Sequence, residues 1–320
     1  MLFLATLGFI VYGESMVEKT ISCPTCDHQF SVEGKTGEEV YVTCPNCKTY
    51  GKFVFPKTVT KTEKPSCFDP VGESCFKRLR LFNGVMGFFH LFQAFIMILL
   101  SNDYSLPITY SFPEFNSATQ SIAPVSETIV EVPIGPLVAL FLLMSASAHF
   151  LLSSVLYDWY VNNLKKKMNP GRWIEYSFSA SLMIVIIAML VTIYDVGTLI
   201  ALFTLTAVMN LLGLVMELHN QTTKKTNWTS YIIGCIAGFV PWVVIFIPLI
   251  AAESVPDFVV GIFISIAVFF NLFAINMVLQ YKKVGKWKDY LYGEKMYIVL
   301  SLVAKSALAW QVFAGTLAPV

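Results

Sequence analysis

The chain has 320 residues, 56% of them apolar and only 13% charged, with a formal net charge of +1. A charge so near zero excludes nucleic-acid binding by the chain as a whole, and the apolar share is that of a polytopic membrane protein carrying a small polar appendage. Four of its seven cysteines form two Cys-x-x-Cys pairs, which point to metal ligation before disulfides.

In chain order, Leu2 to Tyr12 is an apolar run too short to span a bilayer. It has neither a basic leader nor a clear cleavage site, so no signal peptide is expected. Residues 1–15 read as a tail or a mis-set start ahead of Met16. Residues 16–56 read as a zinc ribbon. Cys23-Pro-Thr-Cys26 and Cys44-Pro-Asn-Cys47 are separated by seventeen residues, and two such knuckles let four thiolates close a tetrahedron on a structural Zn²⁺. The flanks alternate as strands in Gln29-Phe-Ser-Val and Val40-Tyr-Val-Thr, with Gly34 and Gly37 between them. A redox Cys-x-x-Cys is the alternative, but one redox site does not need two copies at ribbon spacing. Four cysteines complete the shell, so His28 is expected at the surface.

Residues 57–76 read as a polar linker. It holds Cys67 and Cys75, whose spacing fits no zinc pattern and which read as free thiols. Lys77-Arg-Leu-Arg80 is a basic cluster just before the first membrane helix. Seven apolar segments follow, at about 81–101, 134–161, 173–194, 197–218, 230–252, 257–280 and 296–317, each long enough for the hydrocarbon core. Lysines and arginines fall on one side only: Lys77, Arg78, Arg80, Lys165, Lys166, Lys167, Arg172, Lys224, Lys225, Lys282, Lys283, Lys286, Lys288 and Lys295. The connections on the other side carry acids instead. By this bias a multi-pass cell-membrane protein is expected, with its N-terminus and ribbon cytoplasmic and its C-terminus outside. The outer connection, 102–133, is the longest, and its alternating Ile108–Phe112 and Thr128–Val132 stretches suggest a covering β-hairpin.

Within the apolar segments the ionisable residues are His90, His149, Glu175, Glu217 and Lys305. Lys305 lies ten residues beyond Lys295, about 15 Å along a helix, too deep to snorkel easily. An ammonium there needs a partner or a chemical modification. Segments three and seven run in the same direction, and side chains lean toward a helix N-terminus, so Lys305 should lean toward the level of Glu175. Arg172, nearly one turn earlier, would help keep that carboxylate ionised; alternatively, Glu175 is an interfacial charge paired only with Arg172. His90 and His149 sit at comparable depths, about 14 and 18 Å from the segment ends. They are either packing residues or parts of a polar cavity able to hold a proton. Glu217 reads as a residue of the cytoplasmic end, and Asp158 and His219 as hydrated. Ser179 and Met183 share the face of Glu175, while Ser177 and Ser181 point elsewhere and could bond backbone carbonyls. Ser301 shares the face of Lys305. Asn210, Trp242, Phe269 and Phe270 could line an elongated apolar pocket, though each alone is commonly packing.

A lysine in the seventh of seven helices resembles retinal proteins, and the residues are most similar to heliorhodopsins. The similarity is carried by Arg172-Trp-Ile-Glu-Tyr-Ser-Phe-Ser-Ala-Ser-Leu-Met183 and Leu300-Ser-Leu-Val-Ala-Lys-Ser306. Phe82-Asn, His90 with Gln93-Ala94, and Asn276 through Leu279-Gln-Tyr281 add to it. It covers roughly residues 77–320, and the zinc ribbon departs from the simpler family pattern. The resemblance implies an all-α, seven-transmembrane-helix rhodopsin-like bundle with an inward N-terminus, the orientation that the charge bias gives independently. It also implies all-trans retinal on Lys305 as a protonated Schiff base, Glu175 as counterion, Ser301 as a modulator of that pair, and His90 and His149 as cavity histidines.

Proton pumps resembling bacteriorhodopsin carry a third-helix acid, a hydroxyl four residues later and a proton-donating acid eleven later. Here those positions are Glu175, Ser179 and Ile186, and an isoleucine cannot reload a Schiff base. A proton pump is therefore disfavoured; the resemblance implies instead a light-sensing photoreceptor, and a homodimer and a cytoplasmic signalling partner that could be reached through the ribbon are expected with it. The alternatives are a light-driven ion transporter or channel, or a light-regulated modulator of a partner enzyme. No clear nucleophile–base arrangement points to an enzyme.

Overall fold

Residues flanking each cysteine knuckle pair as antiparallel strands in a computed structural model of the chain, which describes residues 16–35, 37–55, 73–255 and 257–317. The expectations for residues 1–15 and most of the linker lie outside the described residues. The chain divides into two compact units, Met1–Ser66 and Cys67–Val320.

In the first unit, β1 (Met16–Ser22) pairs with β2 (Gln29–Lys35), and β3 (Glu39–Thr43) with β4 (Tyr50–Val54). Each knuckle is thus the tip of its own hairpin, and β1 supplies a strand that the alternation of Gln29–Val32 and Val40–Thr43 did not reveal. The two tips are near copies. Cys23 N donates to His28 O and Cys44 N to Thr49 O, both at 2.9 Å. In each, the residue after the second cysteine is left-handed, Asp27 at φ 56° and Lys48 at φ 59°. Buried Phe55 closes over Gly34, where a Cβ would meet its ring.

The second unit holds α1 (Glu73–Leu99), α2 (Ile134–Ser153), α3 (Tyr157–Lys165), α4 (Pro170–Leu190), α5 (Val196–His219), α6 (Thr229–Ala251), α7 (Asp257–Tyr281) and α8 (Tyr290–Val312). All but α3 are long and apolar enough to cross a membrane. The apolar stretch 134–161 is therefore not one span. The Ser153 and Ser154 hydroxyls donate to Phe150 O at 3.1 and 2.5 Å, satisfying the carbonyl that a continuing helix would use. α3 then packs Tyr160 and Leu164 against Leu79, Leu152 and Leu291. α1 begins within the expected linker and includes the basic cluster, whose Arg80 Nε donates to Ser153 O at 2.7 Å. Cys75 is in a disulfide, which corrects the expectation of a free thiol there; Cys67 lies outside the described residues.

The spanning helices pack in a closed order α1–α2–α4–α5–α6–α7–α8–α1, and α2 also touches α8. α2, α4 and α8 thereby share the interior. Their starts are set locally: Asn169 caps α4 by accepting from Arg172 N, with Pro170 at its first turn, and Asp289 accepts from Leu291 N to start α8. At the opposite end β5 (Ser105–Asn116) and β6 (Ser121–Pro133) form a long antiparallel hairpin with a bulge at Ile108/Thr109. Thr109 N donates to Tyr194 O at 2.9 Å, and Leu106 enters the helical core, so this hairpin covers the bundle end.

Candidate functional site

A single ammonium buried among apolar helices must find an anion, and Lys305 has one. Its Nζ lies 2.7 Å from Glu175 Oε1, 2.5 Å from Ser145 Oγ and 3.2 Å from Ser301 Oγ. Ser145 also donates to Glu175 Oε1 at 2.6 Å, so the hydroxyl couples both charges. Nζ sits 5.1 Å from the Tyr176 ring centre, and Lys305 is 3% exposed. The arrangement neutralises the charge and occupies all three N–H donors of the ammonium. Ser145 and Tyr176 were not legible as site residues; Ser145 lies one helical turn before His149 on α2, the signal that could have found it.

A pocket opens beside this amine, lined by Tyr176, Ala180, Met183, Met209, Asn210, Phe270, Phe273, Ala304 and Lys305. Trp242 backs it, with its ring 5.4 Å from that of Phe270 and nearly perpendicular. Phe269 is not among the lining residues, whereas Phe273, one turn after it, is. Asn210 Nδ2 donates to Thr206 O at 2.9 Å, which fixes its side chain. Ser179 is fully buried beside Glu175, and its Oγ makes no hydrogen bond of ordinary geometry among the described residues. Ser177 and Ser181 bond the carbonyls of Ile174 and Ser177, each at 2.7 Å.

On the other side of Glu175 lies a more polar cavity, lined among others by Asn83, Ser145, His149, Tyr160, Arg172 and Glu294. His90 and His149 stack, with ring centres 5.5 Å apart and planes 13° apart. Because α2 ends at Ser153, His149 is only four residues from its helix end, and its stacking on His90 puts the two rings at one level. The Asn83 amide donates to Leu79 O at 3.1 Å, which turns its oxygen toward His149 Nδ1 at 2.8 Å. An amide oxygen only accepts, so Nδ1 carries the hydrogen and Nε2 is the open acceptor. Among the described residues, neither ring nitrogen of His90 has a hydrogen-bond partner. Tyr160 is buried, and burial pushes its phenol well above the ordinary range, so it faces the cavity as a neutral hydroxyl.

The far wall of this cavity holds a second buried cluster. Arg172 reaches not to Glu175 but to Glu294 Oε1, at 2.5 Å, and to Glu217 Oε1. Glu175 is paired with Lys305 instead, and Glu217, in the last turn of α5, is 1% exposed. The reason is geometric: the α4 cap holds Asn169 and Arg172 between the end of α5 and the start of α8. Asn169 N donates to Glu217 Oε2 at 2.7 Å and its amide to Glu294 Oε2 at 2.8 Å. From α7, Gln280 Nε2 donates to Glu294 Oε1 at 3.2 Å. The Arg172 guanidinium also lies 3.8 Å from the Tyr297 ring centre.

A model of the heliorhodopsin family matches residues 79–317. The chain belongs to the heliorhodopsin family. No curated protein matches it. A heliorhodopsin is a retinal-based, rhodopsin-type membrane protein, and the residues of this one fit that cofactor. A buried amine with an anion beside it can hold a protonated imine, and the apolar pocket next to it suits a polyene chain. Lys305 would hold retinal, and retinal would supply light absorption and isomerisation. Seven spans make this heliorhodopsin a multi-pass membrane protein.

Ahead of the matched residues, this heliorhodopsin carries four cysteines that could hold a metal ion. The Sγ atoms of Cys23, Cys26, Cys44 and Cys47 all lie within 4.8 Å of one another. Cys23–Cys47 and Cys26–Cys44 approach to 3.5 and 3.7 Å, close to the roughly 3.8 Å edge of a tetrahedron with metal–sulfur bonds of about 2.3 Å. The Thr49 hydroxyl, 3.0 Å from Cys47 Sγ, helps lower that thiol to about 6, favouring the thiolate that a metal needs. Asn46 Nδ2 points at Cys26 Sγ at 3.6 Å. His28 is exposed and contributes through its backbone, its carbonyl accepting from Cys23 N and its N–H facing the Cys26 thiol.

Proposed function

We propose that this heliorhodopsin is a light sensor with all-trans retinal on Lys305 Nζ, Glu175 as counterion, and Ser145 and Ser301 tuning that pair. The observation that carries the reading is the buried Lys305–Glu175 contact at 2.7 Å beside an apolar pocket. A carboxylate at that distance favours the protonated nitrogen and fixes its orientation. When the charge separation at Lys305 changes, the Ser145 hydroxyl can follow either partner, and the polar cavity with His149 Nε2 offers the proton an exit. Signalling is favoured over pumping because Ile186, where a pump carries its reloading acid, is fully buried among apolar side chains. The lysine and arginine bias supports a cytoplasmic N-terminus and cavity end. The four cysteines then form a cytoplasmic zinc ribbon, whose surface can serve a signalling partner.

Expression with all-trans retinal should give a coloured protein, and Lys305→Ala a colourless one. Under voltage control the coloured protein should give no sustained photocurrent. Colour retained in Lys305→Ala would overturn the site, and a steady light-driven current would favour the transporter reading.

A further inference from the structure

Two buried ionic groups face the same polar cavity, and they differ in charge balance. The Lys305–Glu175 pair is neutral, whereas Arg172 stands between two carboxylates, a net charge of −1 when both are ionised. We propose that Glu294 takes the proton that leaves Lys305 Nζ, and that its neutralisation releases the Arg172 tether between α4 and α8. The inference rests on the retinal reading above.

Geometry selects Glu294. It lines the cavity that Glu175 also lines, while Glu217 does not. It lies eleven residues before Lys305 on the same helix (305 − 294), about 16 Å along the axis, a distance for relay through the cavity rather than direct transfer. The titratable and charged groups around it are Arg172 and Glu175 from α4, Glu217 from α5, Tyr281 from α7, Tyr290 and Tyr297 from α8, Tyr160 from α3 and His149 from α2.

Charge accounting separates Glu294 from His149. Before transfer, the unbalanced buried charge among the described residues is the −1 of the Arg172 cluster. Moving the proton to Glu294 leaves that cluster neutral and Glu175 at −1, so the count of unbalanced charges stays at one. Moving it to His149 puts an imidazolium on the same cavity wall as Glu175 and leaves the Arg172 cluster at −1, so one charge is unbalanced on this route too. The routes differ in how many of these buried groups stay ionised: the first cuts them from five to three and the second keeps five, and each buried ion is costly, so the first route is preferred. His90, with no hydrogen-bond partner at either nitrogen among the described residues, is poorer still.

Neutral Glu294 holds Arg172 less tightly, because a charge-assisted hydrogen bond weakens when the acceptor is protonated. Arg172 sits in the first turn of α4 and Glu294 in the second turn of α8, the helix that carries Lys305. Proton arrival is thereby converted into loosening of the bundle end where the lysines and arginines gather. Glu217 remains on Arg172, so the release is partial and reversible.

Light-minus-dark infrared spectroscopy of the retinal-loaded full chain tests the proton step. A new protonated-carboxyl band should rise as the Schiff-base proton is lost, vanish in Glu294→Gln, and return shifted in Glu294→Asp. No such band in the parent, or one unchanged by Glu294→Gln, overturns the proposal. Hydrogen exchange of the retinal-free chain tests the tether separately: Glu294→Gln should speed exchange at least several-fold at residues 169–175 and 290–297. Unchanged exchange there removes the tether. This readout needs no chromophore, so the two failures are distinguishable: a colourless parent overturns the proton step together with the retinal reading, whereas a coloured parent without the band or the exchange change overturns this proposal alone.

Discussion

Replacing Arg172 by methionine should be among the most destabilising single changes in this chain, and for a reason that a triple variant can isolate. The Arg172, Glu217 and Glu294 side chains are 4%, 2% and 1% exposed, so the substitution leaves two carboxylates buried without their cation. Breaking a buried pair by removing one partner costs about 3–5 kcal/mol. At about 2–4 °C per kcal/mol for a domain of this size class, the apparent unfolding midpoint should fall by roughly 6–20 °C. Glu217→Gln and Glu294→Gln added to Arg172→Met should recover most of that loss, because the penalty lies in the unpaired charges rather than in the missing guanidinium. The assay is thermal unfolding in one detergent, for parent, single and triple variants. A fall of less than about 1 kcal/mol in the single variant, or no recovery in the triple, would refute the account of this cluster.

Glu175→Gln removes the anion beside Lys305, so the visible band of retinal-loaded protein should shift and be lost on alkalinisation at a lower pH than in the parent; an unchanged titration excludes Glu175 as counterion. Gly213→Ala places a Cβ where Trp173 Cζ3 lies only 2.5 Å away, and overpacking of this kind should lower stability by about 1–3 kcal/mol, read as a depressed unfolding midpoint. Chelation or Cys44→Ser should abolish bound zinc and the β1–β4 amide pattern in NMR spectra while leaving the visible band, since small metal-bound units fold with their metal; a ribbon pattern unaffected by metal removal would contradict the zinc assignment.

The spans were legible because each is a continuous apolar run, and the Lys305–Glu175 contact because two helices of known direction bring two lone charges to similar depths. The Arg172 cluster was not legible. Arg172 precedes the apolar segment at 173, Glu217 is next to last before 218, and Glu294 precedes 296, so all three sit at segment margins where hydration is the ordinary expectation. Only the packing of three helix ends shows that these margins face one another instead of water. The break at Ser153–Ser154 was hidden for a different reason: apolar residues continue through Tyr160, and hydroxyls bonding back to Phe150 O end the helix without a change in hydropathy. Ribbon strand β1 was missed because Met16–Ser22 gains its strand character from pairing with β2 rather than from its own alternation.

The central claim is that one lysine carries the chromophore. Reduction of the retinal-loaded protein with borohydride fixes the imine as a stable amine, and digestion followed by mass spectrometry locates it. The account predicts a retinyl adduct on the peptide containing Lys305 and on no other lysine. An adduct elsewhere, or none in a protein that has taken up retinal, would contradict it.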